Sequence, residues 1–229
     1  VPAAEGGAVS ILREYHEKTL TEAGPENEWI FVLGIPEFSS SEHVRILRFP
    51  WVKKSWLHRL WFDHWVAPRL VRTTRPDRIL SLQNVLVPHV AVPQDLYLHQ
   101  PLPFVEKRFG LFSQPVFWIY QNVLSHSIFR AVRRARRVTV QTRWMKEACV
   151  RLAGADPDRI EVVPPKGLTA DVGRFLFEPA SLRSFFYPTS EKVYKNHNTL
   201  VEAVARLEPA VRQTIHVSMT LKGGETHTL

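Results

Sequence analysis

Three groups of residues in this chain have types and spacing suited to chemistry. The first is the polar loop Tyr187-Pro-Thr-Ser-Glu-Lys-Val-Tyr-Lys-Asn196, set between a strand-like aromatic run at Arg183–Tyr187 and a helical pattern from His197 to Leu207. Leu200, Val201, Ala203, Val204 and Leu207 recur there at helical spacing. A strand, a polar loop and a helix in that order suit an anion, because the helix N-terminus offers unpaired N–H groups and a positive dipole end. Lys192 and Lys195 stand just before it and Asn196 at its start, so a diphosphate is the expected ligand. A solvated loop with two ordinary lysines is the alternative. The second group is His99, closing the strand-like run Asp95–His99 ahead of Gln-Pro-Leu-Pro-Phe104. A histidine there points into the crevice where open α/β sheets bind ligands, unless it only holds the proline-rich loop. The third is Glu5-Gly-Gly-Ala8, where Gly6 and Gly7 allow a tight turn and close approach of backbone to a ligand. A plain helix-entry turn explains them equally.

The elements that must position these residues alternate between strand and helix. Strands are expected at Trp29–Gly34, Val44–Phe49, Asp77–Leu82, Asp95–His99, Arg137–Gln141, Ile160–Val163, Arg183–Tyr187 and Thr214–Ser218. Helices are expected over Ala8–Ala23 (stopped by Gly24-Pro25), Phe112–Val132, Trp144–Leu152 and His197–Leu207. This order argues an α/β fold with a mostly parallel sheet flanked by helices. One domain is expected over 1–165, an interdomain linker over 166–183, and the start of a second domain over 184–229. Only 46 residues lie in that last part, enough for one strand–helix–strand and too few for an independent domain.

Trp51 to Trp65 holds four of the seven tryptophans, interleaved with Lys53, Lys54, His58 and Arg59. Leu57, Leu60, Trp61 and Trp65 share one helical face. A basic, tryptophan-rich amphipathic helix suits a membrane interface, with Trp51, Lys53, Lys54, Trp56 and Arg59 facing lipid. The competing reading is a helix docked on the sheet with a wet basic face. Arg130, Arg133, Arg134 and Arg137 form a second basic run. It suits nucleic acid or acidic lipid, or it complements a helix dipole. No stacking aromatics interleave it, which weakens the nucleic-acid reading.

The 229 residues are 45% apolar and 23% charged, an ordinary globular composition, and the net charge of +8 favours an anionic partner. A single cysteine, Cys149, excludes an intrachain disulfide and fits a reducing compartment. Its place beside Met145 and Val150 predicts packing rather than reactivity. No run approaches the ~20 apolar residues that span a bilayer, and no signal peptide is visible. The chain opens on Val1-Pro-Ala-Ala rather than Met, so its natural start is expected upstream. Neither Gly-x-Gly-x-x-Gly nor Gly-x-x-x-x-Gly-Lys-Ser/Thr occurs, which argues against dehydrogenases and P-loop enzymes.

In this order the pieces resemble the GT-B glycosyltransferases, in particular the retaining enzymes of glycosyltransferase family 4. Glu5-Gly-Gly-Ala8 resembles the Gly-rich loop after the first N-terminal strand. Leu96-Tyr-Leu-His-Gln100 resembles the strand ending in the active-site histidine. Arg137-Val-Thr-Val-Gln-Thr142, Trp144-Met-Lys146 and Asp158-Arg-Ile-Glu-Val-Val-Pro164 resemble the strand, helix and strand before the interdomain crossing. Tyr194-Lys-Asn196 with Thr199-Leu-Val-Glu-Ala203 resembles the segment that opens the C-terminal domain.

The resemblance implies a Rossmann-like GT-B N-terminal domain followed by the first strand–helix–strand of a nucleotide-sugar-binding domain. It implies transfer of a sugar from a nucleotide-sugar donor, with retention, to a saccharide or lipid-linked acceptor in cell-envelope glycan synthesis. His99 would contact the transferred sugar or reacting centre. Lys195 would neutralise the leaving diphosphate, with Lys192, Gly6 and Gly7 near the phosphates. Thr142, Arg143 and Asn196 would line the cleft. No metal or other cofactor is implied, and no nucleic-acid partner. A cytoplasmic protein, peripheral at the inner face of the membrane, is expected. The chain departs from the pattern at Pro188-Thr-Ser190, where the family carries a Gly-Arg pair, so Lys192 would have to substitute. It also ends before the family's two glutamates separated by seven residues could occur, and the first N-terminal strand is absent or truncated. A truncated transferase that binds donor weakly and turns over little is therefore expected. The alternative is a non-catalytic basic module for RNA or other polyanions.

Overall fold

The computed structural model describes residues 7–35, 37–164, 183–189 and 195–221. Gly6, Lys192 and residues 166–182 of the expected linker lie outside the described residues. The chain divides into two compact units, Val1–Gly167 and Leu168–Leu229. All named strands in both pair in parallel, and helices lie between them in the chain.

The first unit opens with helix α1 (Gly7–Glu22). Strands β1 (Trp29–Leu33) and β2 (Val44–Arg48) follow and pair with each other. Strands β3 (Ile79–Ser81), β4 (Gln94–Leu98), β5 (Arg137–Val140) and β6 (Ile160–Val162) form a second sheet in that order. The sequence suggests one sheet, whereas the described pairings give two: β1 pairs with β2, and β3 with β4. Helix α1 touches both. The His16 ring meets Phe31 of β1 at 5.4 Å, and Tyr15 meets Tyr97 of β4 edge-on at 6.4 Å.

Strand β4 is central, and Leu96, Tyr97 and Leu98 are consecutively buried. Successive strand residues point to opposite faces, so both faces of β4 are covered. Leu96 and Leu98 join Val138, Val140 and Ile160 in a core closed by helices α5 (Ser125–Arg134) and α6 (Arg143–Ala153). Cys149 lies within it, and burial pushes its thiol up to about 12, so it stays protonated and inert.

The stretch expected as one Trp-rich helix is segmented. A 3₁₀ turn at Pro50–Lys53 precedes α2 (Trp56–Trp61), whose N-cap Ser55 accepts from the His58 N–H. A π turn over Phe62–Val66 then leads into α3 (Ala67–Thr74). Pro68 accounts for the wide turn: its ring would crowd the carbonyl four residues back, and the π geometry relieves this without breaking the helix. A π turn over Tyr120–Leu124 likewise interrupts the expected helix 112–132, joining α4 (Pro115–Ile119) to α5. The arginine run is partly occupied. Arg133 donates to the carbonyl of Ala153 at the end of α6, and Arg136 makes two hydrogen bonds to Asp95 at 2.9 and 2.7 Å.

The second unit pairs β7 (Ser184–Tyr187) with β8 (His216–Met219), with α7 (His197–Ala205) and the short α8 (Pro209–Arg212) between them in the chain. The described residues of α7 and α8 include none that is buried.

Candidate functional site

The carboxyl ends of β3, β4 and β5 lie side by side, since Ser81 registers with Leu96 and Leu98 with Val140. The segments that leave them carry the candidate site. His99 follows β4 directly and is half-buried. It is held by a residue with no local sequence signal, Asn84, in the loop after β3. The Asn84 Oδ1 accepts the His99 backbone N–H at 2.9 Å and the Gln100 N–H at 3.2 Å. That turns the Asn84 amide nitrogen towards His99 Nε2, 3.4 Å away. An amide NH₂ only donates, so Nε2 must be the acceptor and the ring proton sits on Nδ1. The tautomer is assigned from this network. Burial holds the His99 pKa below its ordinary value, so the ring is neutral at pH 7, with Nδ1–H as its donor. Asn84 itself sits at φ 63°, a left-handed conformation that asparagine tolerates better than most residues.

The loops around His99 are clamped from beneath. Gln94 accepts the Val87 N–H and donates to its carbonyl, both at 2.8 Å, which fixes the segment between β3 and β4. On the other side, Phe104 is fully buried and packs on Phe129 of α5 at 5.1 Å. Buried Gln121 donates to the carbonyls of Leu102 and Lys107 and accepts from the Phe109 N–H. The segment after His99 is thus tied at three backbone positions. Gln141, beyond β5, donates to the Tyr97 hydroxyl at 3.0 Å.

Thr142 is the N-cap of α6, its hydroxyl accepting the Met145 N–H at 3.2 Å. That gives it a structural task at the same sheet edge. Thr142→Ala is expected to destabilise the first unit by about 1 kcal/mol. Urea unfolding measures this; an unchanged midpoint would remove the capping role. Arg143 lies on an open concavity of about 570 Å³ with Lys146, Glu147, Arg151 and Val162. His99 is not on its wall. We place the candidate site at the strand ends because the constrained polar groups converge there, whereas the concavity is a wide cationic rim of α6.

In the second unit, Asn196 adopts φ 58° and precedes α7. Its side chain does not cap the helix; Oδ1 accepts from the Thr199 hydroxyl instead. The Tyr187 hydroxyl donates to the Lys195 carbonyl at 2.6 Å, setting the loop end against β7. Thr189 Oγ1 lies 2.8 Å from His197 Nε2, and the Thr220 hydroxyl accepts the Thr189 N–H and donates to its carbonyl. Thr189, His197 and Thr220 therefore share the carboxyl edge of β7 and β8 with the start of α7. Of these, only Thr189 falls in the loop that the sequence singles out.

Gly7 is the first residue of α1. Of the residues expected to face a membrane, Lys53, Lys54 and Trp56 are exposed. Trp51 is half-buried against Phe49 and Phe62. Arg59 is drawn inward, with Nε 2.6 Å from Asp63 and NH1 2.7 Å from Gln83. Among the described residues no group of His, Cys, Asp and Glu could hold a metal ion, and no helix is long and apolar enough to cross a membrane. No protein-family model matches the chain, and no curated protein matches it.

Proposed function

We propose that this chain is part of a retaining glycosyltransferase of the GT-B class, with the first unit serving the acceptor and reacting centre and the second contributing to the nucleotide-sugar site. The observation that carries the reading is His99 at the carboxyl end of β4, neutral and fixed in one tautomer by Asn84. A neutral imidazole with its Nδ1–H available can donate to a sugar hydroxyl without adding charge at the reacting carbon. All-parallel α/β units and loops gathered at strand carboxyl ends support the same reading.

The second unit contributes electrostatics. Sugar transfer from a nucleoside diphosphate builds negative charge on the departing phosphate. The first N–H groups of α7, left without an Asn196 cap, and the Lys195 ammonium are suited to stabilise that charge. The transfer breaks the bond from the anomeric carbon to the phosphate oxygen and makes one to the acceptor oxygen on the same face, while the acceptor hydroxyl gives its proton to the departing phosphate oxygen.

A panel of nucleoside-diphosphate sugars screened by saturation-transfer NMR, which detects weak binding, tests this. At least one donor is expected to bind, and Lys195→Ala is expected to weaken it about tenfold or more, the size of a charge-assisted contact. Binding of a polyribonucleotide with no response to any nucleotide-sugar would favour a basic binding module instead. The engagement of Arg133 and Arg136 within the fold speaks against that module.

A further inference from the structure

We propose that the outward face of the Trp56–Val66 helical segment is a docking surface for an anionic lipid bilayer. Trp56, Leu57, Leu60, Trp61 and Trp65 are 49–76% exposed, although five large apolar groups on one face would ordinarily be buried. The fold has turned the other side of the segment inward. Phe62 packs with Val52, Phe49 and Trp51, while Arg59 and Asp63 pair beside Gln83. The exposed side chains are ordered against one another: the Trp61 and Trp65 rings stack 5.0 Å apart at 20°.

Charge identifies the occupant. Exposed Lys53 and Lys54 precede the apolar face, and exposed Arg69 and Arg72 follow it. Asp63 is the only acid between Lys53 and Thr74, and Arg59 neutralises it. An apolar, tryptophan-rich face with cations at both ends matches the acyl–headgroup boundary of an acidic leaflet, where indoles partition and lysines and arginines meet lipid phosphates. A second copy of the chain fits poorly, because a two-fold contact would set these cations against their own copies. The location also suits an acceptor carried by lipid. Arg59 is bonded to Gln83, the neighbour of Asn84, so the docking helix abuts the loop that holds His99.

The test is co-sedimentation of the whole chain with phosphatidylcholine vesicles, with and without phosphatidylglycerol. Binding is expected to need phosphatidylglycerol and to fall as salt rises. The double variant Trp61→Ser, Trp65→Ser should lose about tenfold or more of it. The double variant Lys53→Glu, Lys54→Glu should lose a similar factor. Phe112→Ser, at a residue 99% exposed outside the segment, should leave binding unchanged. Circular dichroism checks that each variant is folded; all changed side chains are exposed. Absence of vesicle binding by the folded chain, or binding indifferent to the tryptophan pair, overturns the proposal. So does a dimer in light scattering that the tryptophan variant dissociates. None of these outcomes bears on donor binding, so this surface and the transferase reading fail separately.

Discussion

Asn84→Asp is expected to reverse the ring tautomer of His99 and raise its pKa. The substitution keeps the shape of the side chain, its tolerance of the left-handed backbone and an oxygen for the His99 and Gln100 N–H groups. It removes only the NH₂ that faces Nε2. A carboxylate accepts and does not donate, so Nε2 must then carry a proton, either as the other neutral tautomer or as imidazolium. Ring ¹⁵N shifts of His99 read the change directly. The wild type should show a protonated Nδ1 and a bare Nε2, and the variant a protonated Nε2. Where sugar transfer is measured, a wrong tautomer should lower it by up to ~10⁴-fold, the loss found when a triad histidine is left in the wrong tautomer. Unchanged ring shifts in the variant would show that Asn84 does not set the tautomer.

The same pair has a stability signature. Burial depresses the His99 pKa in the folded protein relative to the ordinary 6.5. As pH falls through that ordinary value, the unfolded chain takes up a proton that the folded ring still refuses, so stability declines on the acid side of 6.5 until the lower folded pKa is reached. In Asn84→Asp the adjacent negative charge pulls the folded pKa upward, and this acid loss should shrink or change sign. Urea midpoints of both proteins between pH 7.5 and 5 distinguish the two slopes.

Phe104→Ala is expected to destabilise the first unit by about 3–5 kcal/mol. The ring has no exposed surface, and the core around it includes Ile128, Val132 and Cys149, so truncation leaves a cavity that little can refill. Phe112→Ala is the matched control: eight residues on and almost fully exposed, it should change stability by less than about 0.5 kcal/mol. Phe104 is also the anchor of the segment that leaves His99. Its loss should therefore broaden the His99 ring signals, whereas a core truncation far from this segment would not. A cost below about 1 kcal/mol would mean that the segment is not seated as described.

The chain's own residues made much of this fold legible. Continuous apolar runs marked the parallel strands, because a strand covered on both faces has no polar side; Leu96-Tyr97-Leu98 is the clearest case. Gly154 past α6, at φ 64°, marks the end of that helix by local backbone need alone, whereas the capping role of Thr142 emerged only with the fold. Cys149 could be read as core from its apolar neighbours. His99 could be placed at a strand end, and Lys195 and Asn196 before a helix, because those positions depend only on the order of elements.

Other features exist only once the chain is folded. Asn84 meets His99 across 15 positions because β3 and β4 pair in parallel and bring their carboxyl ends together; nothing near Asn84 in the sequence announces it. The tautomer of His99 follows from that meeting. Periodicity could show that the tryptophan-rich helix has an apolar face, but not which side the fold would bury. Phe62 and Val66 offer a second apolar side, and that side packs while Trp56, Trp61 and Trp65 remain outside. Residue spacing determines which side chains share a face. Only the packing of the whole unit decides whether that face meets the core or the surroundings, because burial depends on what the rest of the chain brings against it.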